Sequence, residues 1–338
     1  MRYLLGLLTT IAVLLGCYGL IEVGVDEYGV FGTPVPRREA CLPNARVVKL
    51  SYLRSHPQYD AFVLGSSRAN YYRVETLNRL SGHRYYNLSS PMENAQGMEA
   101  WVRWLVAHRT VREVLLTLDF DLQEHPYRDS DLFVQDPPEL TGMPRAVFIA
   151  RYLLAPPDQL AACIRAKLNP SPAYRFDTRT GQDYVRGQRS MTRAPRRIEM
   201  FAGDRDDSNA DRLARMVRLL RAHGVAVRVV VNPVWAPRFL TWDSDTYVAW
   251  LRNVAAVTGG FWDFSGVNDI TKENGNYIDD VHFTEQIGNR VIRAMYSGGG
   301  DDFGIWIHSE NVEARLRAIE RDYAEGPTRV RVPTPKEI

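Results

Sequence analysis

The fold of this chain is decided by the stretch YDAFVLGSSRAN, which occupies residues 59–70. An apolar run ends at Gly65, and Ser66, Ser67 and Arg68 follow before a segment with helical spacing of apolar residues. A short apolar strand that leads into a helix is typical of a parallel α/β unit, in which the residues after the strand lie at the carboxyl edge of the sheet. Ser67 is therefore a candidate nucleophile, and such a serine needs a base and an orienting acid from elsewhere in the chain.

The alternation of strands and helices continues along most of the chain. After the first strand at residues 60–64, apolar runs predict strands at residues 84–88, 111–118, 225–231 and 261–264. Apolar residues at helical spacing predict helices at residues 67–80, 94–108, 209–223, 246–257 and 285–295. We therefore expect an α/β fold, in the form of a three-layer α/β/α sandwich around a mostly parallel sheet.

The alternation stops in the region of residues 123–207, which is rich in Pro, Arg, Tyr and Asp. This region is too long for a plain connection, so we interpret it as a large insertion that caps or flanks the site. An apolar patch at residues 146–154 predicts a helix that continues to Leu168. The second half is basic, and it forms either a solvated loop or a surface for anionic glycans or lipid head groups. Its arginines are Arg186, Arg189, Arg193, Arg196 and Arg197.

The N-terminal segment predicts a single membrane anchor at residues 1–24. Residues 3–21 contain no charged side chain, and this run has about the length needed to cross a bilayer. A neck at 25–50, a main domain at 51–300, and a peripheral helix with a loose tail at 301–338 follow. We expect a bacterial inner-membrane protein with a short cytoplasmic N-terminus and an extracytoplasmic, periplasmic body. The alternatives are a cleaved signal peptide and a lipoprotein acylated at Cys17, which ends a lipobox-like Leu-Leu-Gly-Cys.

Charge and cysteine content exclude several classes. The net charge of +2 does not indicate a general nucleic-acid binder. The cysteines form no C-x-x-C and no Cys/His cluster, so we expect no structural zinc, and nothing in the sequence implies another metal or a cofactor. Cys41 and Cys163 either pair in an oxidising compartment or remain two free buried thiols.

A second candidate motif lies far from Ser67, just before the last core helix. Asp279 and His282 form a D-x-x-H unit, in which the carboxylate can hold one imidazole nitrogen while the other faces the site. Asp280 is an alternative partner for the histidine. Ser67 has a structural alternative too, since a serine at this place often caps a helix. The acids of the Asp-Phe-Asp at residues 119–121 are either a solvated strand end or neighbours of Ser67 at one sheet edge.

The order of these motifs resembles the SGNH/GDSL hydrolase superfamily. Gly65-Ser66-Ser67 is similar to its first block, with Ser66 in place of the usual Asp, and Asp279 and His282 match its last block. The resemblance extends over residues 60–295 and implies an SGNH/flavodoxin-like sandwich. It also implies that Ser67 is the nucleophile, His282 the base and Asp279 the orienting acid. Gly-Ser-Ser-Arg behind a membrane anchor looks like the bacterial surface-polymer branch, which includes alginate-acetylation and teichoic-acid D-alanylation proteins.

This resemblance implies an acyltransferase or esterase that adds or removes O-acetyl groups on a surface or exported polysaccharide, beside a membrane-bound O-acyltransferase. Two superfamily blocks differ here. Residues 87–92 lack the glycine of the second block, and Leu-Asp-Phe-Asp at residues 118–121 replaces Gly-x-Asn-Asp of the third. The expected oxyanion donors are therefore the amides of Ser67 and Ser89. A non-catalytic glycan-binding or scaffold subunit and a lipase-like esterase are the alternatives.

Overall fold

The computed structural model describes residues 1–32, 41, 43–123, 135–156, 160–169, 174–185, 187–195, 197–200, 208–297, 303–330 and 334–337. Within them the strands are β1 (Ala61–Leu64), β2 (Tyr85–Asn87), β3 (Glu113–Leu118), β4 (Tyr174–Asp177), β5 (Gln182–Val185), β6 (Arg197–Met200), β7 (Ala226–Val231), β8 (Phe261–Asp263), β9 (Ile305–Ile307) and β10 (Thr334–Glu337). The helices are α1 (Arg2–Val25), α2 (Ala45–Ser55), α3 (Val74–Ser81), α4 (Ala95–His108), α5 (Phe120–Gln123), α6 (Pro138–Thr141), α7 (Arg145–Leu153), α8 (Leu160–Leu168), α9 (Ser208–Ala222), α10 (Ala236–Phe239), α11 (Ser244–Thr258), α12 (Asp269–Lys272), α13 (Glu285–Tyr296) and α14 (Val312–Arg329).

The chain divides into two compact units. The anchor unit consists of Met1–Ser55, Arg128–Arg179 and Asp183–Gly187. The sheet unit consists of His56–Tyr127, Thr180–Gln182 and Gln188–Ile338.

The main sheet confirms the α/β class and the mostly parallel arrangement. Its order is β2-β1-β3-β7-β8-β9, and every neighbouring pair is parallel except β8 and β9. Strands β1 and β3 are buried at every residue, which explains the wholly apolar sequence of β1 and the mostly apolar sequence of β3. The antiparallel edge strand β9 was not predicted.

The strand order places the end of β1 at a special point of the sheet. If the first five strands of the sheet are numbered by their order in the chain, so that β7 is the fourth and β8 the fifth, their order is 2-1-3-4-5, as in flavodoxin-like sheets. The direction of winding reverses between β1 and β3. Ligands of open α/β sheets bind outside the carboxyl ends of the strands at this switch point. Ser67 follows β1 and Asp119 follows β3, so both lie there.

The predicted helix at residues 67–80 is two pieces. A 3-10 turn covers Ser67–Tyr71, and α3 begins only at Val74. The break is stabilised by the side chain of Gln182, which donates to the carbonyl oxygens of Asn70 at 2.6 Å and Tyr72 at 3.2 Å. The same side chain accepts from the amide of Val74 at 3.1 Å. These bonds satisfy backbone groups that a continuous helix would have paired internally.

The longer helices of the sheet unit pack in two sets. In one set α3 packs on α13, and in the other α4 packs on α9, α9 on α11 and α11 on α14. The described part of the C-terminal segment, which was expected to be a loose tail, contains the end of α14 and strand β10. Gly326 lies inside α14, where an added Cβ would come 2.7 Å from Leu240 Cδ2, and β10 pairs in parallel with β6.

The anchor unit begins with α1, which is long and apolar enough to cross a membrane. The end of α1 packs against α7 and α8, and Tyr18 donates a hydrogen bond of 2.5 Å to the carbonyl oxygen of Ala155.

The single helix predicted from residue 146 to Leu168 is divided in the structure into two helices, α7 and α8. Cys41 and Cys163 form a disulfide, which decides between the two alternatives left by the sequence.

Parts of the predicted segments lie outside the described residues. In the neck, residues 33–40 and 42 lie outside the described residues, and the last residues of the neck belong to α2. In the region of 123–207, the residues outside the described ones are 124–134, 157–159, 170–173, 186, 196 and 201–207. The described remainder of that region contains helices α6 to α8 and strands β4, β5 and β6, of which β4 and β5 pair with each other.

Candidate functional site

The site begins at a sharp turn after β1. Gly65 has φ +157°, and a Cβ there would collide with the side-chain oxygen of Thr117 on β3 and lie 3.1 Å from its carbonyl oxygen. Only glycine fits this close approach of two backbones. The turn brings Ser66 and Ser67 to the carboxyl end of β3.

The two serines that follow have different roles. Ser66 caps the 3-10 turn, because its Oγ accepts a hydrogen bond of 3.2 Å from the amide of Arg68. Ser67 Oγ instead lies 2.7 Å from Nε2 of His282. Helix capping, the structural alternative for Ser67, is therefore the role of Ser66, whereas the Ser67 hydroxyl contacts His282.

Asp279 completes the chain of contacts. Its Oδ2 lies 2.8 Å from Nδ1 of His282, while the amides of Val281 and His282 donate to its Oδ1 at 2.9 and 2.7 Å. Burial acts to raise the pKa of Asp279, but the contact with His282 and the two amides outweigh it and lower that pKa. An ionised carboxylate accepts only, so the proton of the neutral imidazole belongs on Nδ1 and Nε2 accepts from Ser67.

Asp280, the alternative partner, does not contact the histidine ring in the structure. Its Oδ2 accepts a hydrogen bond of 3.1 Å from Nη1 of Arg238. Burial raises the pKa of Asp280, Arg238 opposes that effect, and the charge of Asp279 adds to it. The structure thus brings together Ser67, His282 and Asp279, and it assigns Asp280 to a different contact.

Asp119 and Asp121 are buried, not solvated, and they share the sheet edge with Ser67. Arg68 binds both: Nη1 lies 2.8 Å from Asp119 Oδ1, and Nη1 and Nη2 each lie 2.8 Å from an oxygen of Asp121. Burial acts to raise the pKa of Asp121, but Arg68 and Arg238 outweigh it and lower that pKa to about 2. Burial acts to lower the pKa of Arg68, and the two carboxylates reverse that effect and raise it.

Polar residues that the sequence analysis did not single out surround these acids. Asn232 Nδ2 donates to Asp119 Oδ1 at 2.7 Å, and Tyr72 OH donates to Asn232 Oδ1 at 2.5 Å. Burial raises the pKa of the Tyr72 hydroxyl, so it stays a neutral donor. Asn232 directly follows the apolar strand β7, a signal that could have found it. Arg238 lies in the four-residue helix α10, where the sequence carries no such signal.

The expected oxyanion donors differ in the structure. The amide of Ser67 is at the first position of the 3-10 turn, where no partner within the turn exists for it. The amide of Ser89, by contrast, donates to Asn87 Oδ1 at 2.8 Å, so the structure does not offer it to a reacting oxygen. The correction has a simple cause, since asparagine side chains readily bind the amide two residues ahead.

The loop after β2 contains a strained residue. The amide of Ser90 donates to the carbonyl oxygen of Gly65 at 3.2 Å, and the amide of Glu93 donates to that of Ser90 at 3.3 Å. Pro91 and Met92 occupy the middle of this turn, and Met92 has φ +56°. This is the arrangement of a type II turn, which ordinarily has glycine at its third position.

The basic segment passes beside the site within the sheet unit. Gln188 Nε2 donates to Tyr71 OH at 3.0 Å, and the Tyr71 ring centroid lies 6.0 Å from that of His282. The amide of Met191 donates to the carbonyl oxygen of Tyr277 at 2.6 Å. The arginines Arg189, Arg193 and Arg197 are exposed, and Arg186 and Arg196 lie outside the described residues.

No family model matches the chain, and a search of curated proteins finds no match. Among the described residues, no group of three or more His, Cys, Asp or Glu side chains is arranged to hold a metal ion. The assignment of a function therefore depends on the geometry of Ser67, His282 and Asp279.

Proposed function

We propose that this chain is a membrane-anchored serine acyltransferase or esterase of the SGNH type that acts on a surface or exported polysaccharide. The observation that carries the proposal is the relay of Ser67 Oγ, the two ring nitrogens of His282 and the Asp279 carboxylate, joined at 2.7 and 2.8 Å. Nucleophile, base and orienting acid within hydrogen-bond reach are the signature of an activated serine.

The relay supports acyl transfer in two steps. Ser67 Oγ attacks the acyl carbonyl carbon as its proton passes to His282 Nε2, and His282 then returns this proton to the departing alcohol, leaving an ester on Ser67. In the second step a sugar hydroxyl or water attacks the ester while its proton passes to His282 Nε2. His282 then gives this proton to Ser67 Oγ as the bond from Oγ to the acyl carbon breaks, which restores the serine. General acid–base catalysis of this kind contributes roughly 10²–10⁴ in rate. Asp279 stabilises the imidazolium in both steps.

The proposed fold assignment goes beyond the sheet itself. The strand order, the position of Ser67 after β1 and of Asp279 and His282 before α13 support an SGNH-like sandwich. The two sets of packed helices support a three-layer arrangement, with one set on each face of the sheet. In this proposal the region of residues 123–207 is an insertion in the main domain.

An extracytoplasmic, periplasmic body is part of the proposal. The Cys41–Cys163 disulfide supports it, because disulfides persist in oxidising compartments and are rare in the cytosol. The bond from Tyr18 to Ala155 supports a retained anchor over a cleaved signal peptide, since cleavage after α1 would remove it. Lipidation of Cys17, which is exposed on α1, remains an alternative mode of anchoring.

A polymeric, anionic substrate fits the surroundings of the relay. His282 and Asp279 are 24% and 48% exposed, so a chain of sugars can reach them from solvent. The exposed Arg189 and Arg193 lie on the segment that contacts Tyr71 and Tyr277 beside the relay. We propose a membrane-bound O-acyltransferase as the source of the acyl group, which rests on the family resemblance alone.

A second candidate function has its own supporting observation. The Ser89 amide is engaged by Asn87. In Leu-Asp-Phe-Asp at residues 118–121, Phe120 stands at the place of the Asn of the superfamily's third block and has no side-chain donor, and the flanking Asp119 and Asp121 bind Arg68. Loss of one oxyanion donor costs roughly 10²–10³ in kcat, so a glycan-binding or scaffold subunit without chemistry is the competing function.

The deciding experiment is labelling of the full-length protein in detergent with a fluorophosphonate probe. We expect an adduct on Ser67 that is lost in Ser67→Ala and kept in the matched control Ser90→Ala, a neighbouring buried serine. In cells, Ser67→Ala should abolish polysaccharide acylation. An unlabelled parent together with full acylation by Ser67→Ala would refute the proposal, and glycan binding by that unlabelled protein would support the scaffold. Hydrolysis of long-chain rather than acetyl esters would indicate a lipase.

A further inference from the structure

Two buried arginines bind the two residues that separate Asp279 from His282. Arg68 Nε donates to the carbonyl oxygen of Val281 at 2.8 Å, and Arg238 Nη1 donates to Asp280 Oδ2 at 3.1 Å. Both arginine side chains are almost wholly buried, at 2% and 1% exposure. The intervening residues of the D-x-x-H unit are therefore each attached to the interior of the sheet unit.

The two arginines are themselves held by one carboxylate at the end of β3. Asp121 receives both ends of the Arg68 guanidinium at 2.8 Å, and its Oδ2 lies 3.5 Å from Arg238 Nη2. Arg68 also follows Ser67 directly in the chain. One rigid guanidinium thus connects the segment that carries the hydroxyl to the turn that carries the imidazole.

The catalytic side chains do not provide this positioning by their own burial, because His282 and Asp279 are partly exposed. Catalytic groups must be held within about 0.5 Å of their productive geometry by supporting contacts. The planar guanidinium of arginine, with several donors in fixed directions, is suited to this. The single ammonium group of lysine cannot reproduce those donor directions.

We propose that Arg68 and Arg238 are positioning residues that hold the Asp279–His282 turn at hydrogen-bond distance from Ser67. The proposal deepens the proposed function and rests on it for its catalytic consequence. The arrangement itself is a property of the fold, so it can be tested separately.

The test compares Arg68→Lys and Asp280→Ala with a matched control. Asp280 is 21% exposed, so its truncation leaves no large cavity and the variant keeps the fold. The control is Arg315→Lys, which loses a comparable buried guanidinium that binds Asp263 at 2.6 Å and the Ser265 carbonyl oxygen at 2.9 Å. Arg315 has no contact with the turn among the described residues.

Two measurements are made on the full-length protein. The first is amide hydrogen exchange over residues 278–283, which we expect to accelerate in both test variants and not in Arg315→Lys. The second is the rate of fluorophosphonate labelling at Ser67, with kcat and KM for 4-nitrophenyl acetate. Because a displacement of about 1 Å costs on the order of 10²-fold, we expect labelling and kcat to fall about 10- to 100-fold with KM unchanged.

The outcomes separate this proposal from the proposed function. Parent-like exchange and parent-like labelling in folded Asp280→Ala and Arg68→Lys would overturn the positioning role, even if the parent reacts at Ser67. If the parent does not react, the proposed function fails, and hydrogen exchange alone decides whether the arginines hold the turn. Should Arg68→Lys not fold, Asp280→Ala decides.

Discussion

Ser66 donates a hydrogen bond of 2.5 Å to Asp119, which stands at the end of the neighbouring strand. The adjacent hydroxyl, on Ser67, faces His282 instead. Two consecutive serines therefore make different contacts: Ser66 joins the ends of β1 and β3, and Ser67 lies at hydrogen-bond distance from the imidazole.

This difference in contacts predicts that stability and activity separate between the two serines. Ser66→Ala leaves a buried carboxylate oxygen without its donor, so we expect a loss of about 1–3 kcal/mol in the free energy of unfolding. Ser67→Ala should change stability by no more than about 0.5 kcal/mol while it removes reactivity. Urea titration of both variants, together with fluorophosphonate labelling, checks this. Equal destabilisation by the two substitutions would show that Ser67 is structural as well.

The buried acids predict a loss of stability in acid. The pKa of Asp121 is lowered to about 2 in the folded protein, against about 3.9 in an unfolded chain. Because the folded-state pKa is the lower one, this carboxylate stabilises the fold above about pH 4, and its contribution disappears as the pH falls toward about 2. Asp121→Asn should be less stable at neutral pH and lose less stability over that interval. Urea titrations at several pH values measure both, and parallel curves for parent and variant would contradict the prediction.

Several of these features could be predicted from sequence, and others could not. The pairing of Ser67 with His282 was implied by the resemblance of a post-strand serine and a late D-x-x-H to the SGNH order, and the two side chains lie 2.7 Å apart in the structure. The Ser89 amide was wrongly expected to be available, because whether a side chain such as Asn87 captures an amide depends on local turn geometry. Arg238 was missed because burial of an arginine is a property of the assembled core and has no local pattern.

The left-handed conformation of Met92 predicts a stabilising substitution. Met92 has φ +56°, a region that costs an L-residue roughly 1–2 kcal/mol and glycine little. Met92→Gly should therefore raise the unfolding free energy by up to ~1 kcal/mol, part of the gain being offset by the greater entropy of glycine in the unfolded chain. Met92→Ala is the control, because it shortens the side chain and keeps the strain. Thermal unfolding compares them, and equal effects of Gly and Ala would exclude backbone strain as the cause.

The disulfide predicts a specific pattern of thiols. In protein purified without reductant, a maleimide reagent should modify only Cys17 after denaturation, and reduction should expose all 3 cysteines. Cys41→Ser should lower the free energy of unfolding by about 2–5 kcal/mol, since the bridge closes a long loop. Cys17→Ser, the control, should leave stability unchanged. Modification of every cysteine before reduction would show that the body does not reside in an oxidising compartment.

The segment beside the relay predicts a charge-dependent interaction with substrate. Arg189 and Arg193 are exposed next to the contacts of Gln188 with Tyr71 and of Met191 with Tyr277. Replacing each by Ala should raise KM for an anionic polysaccharide by at most about fivefold, because an exposed ion pair contributes up to ~1 kcal/mol. The effect should shrink at high salt, which screens exposed charges. Arg252→Ala, which removes an exposed arginine paired with Glu313, is the matched control and should leave KM unchanged. An equal rise in KM for a neutral polysaccharide would show that the arginines act on the shape of the site and not on the charge of the substrate.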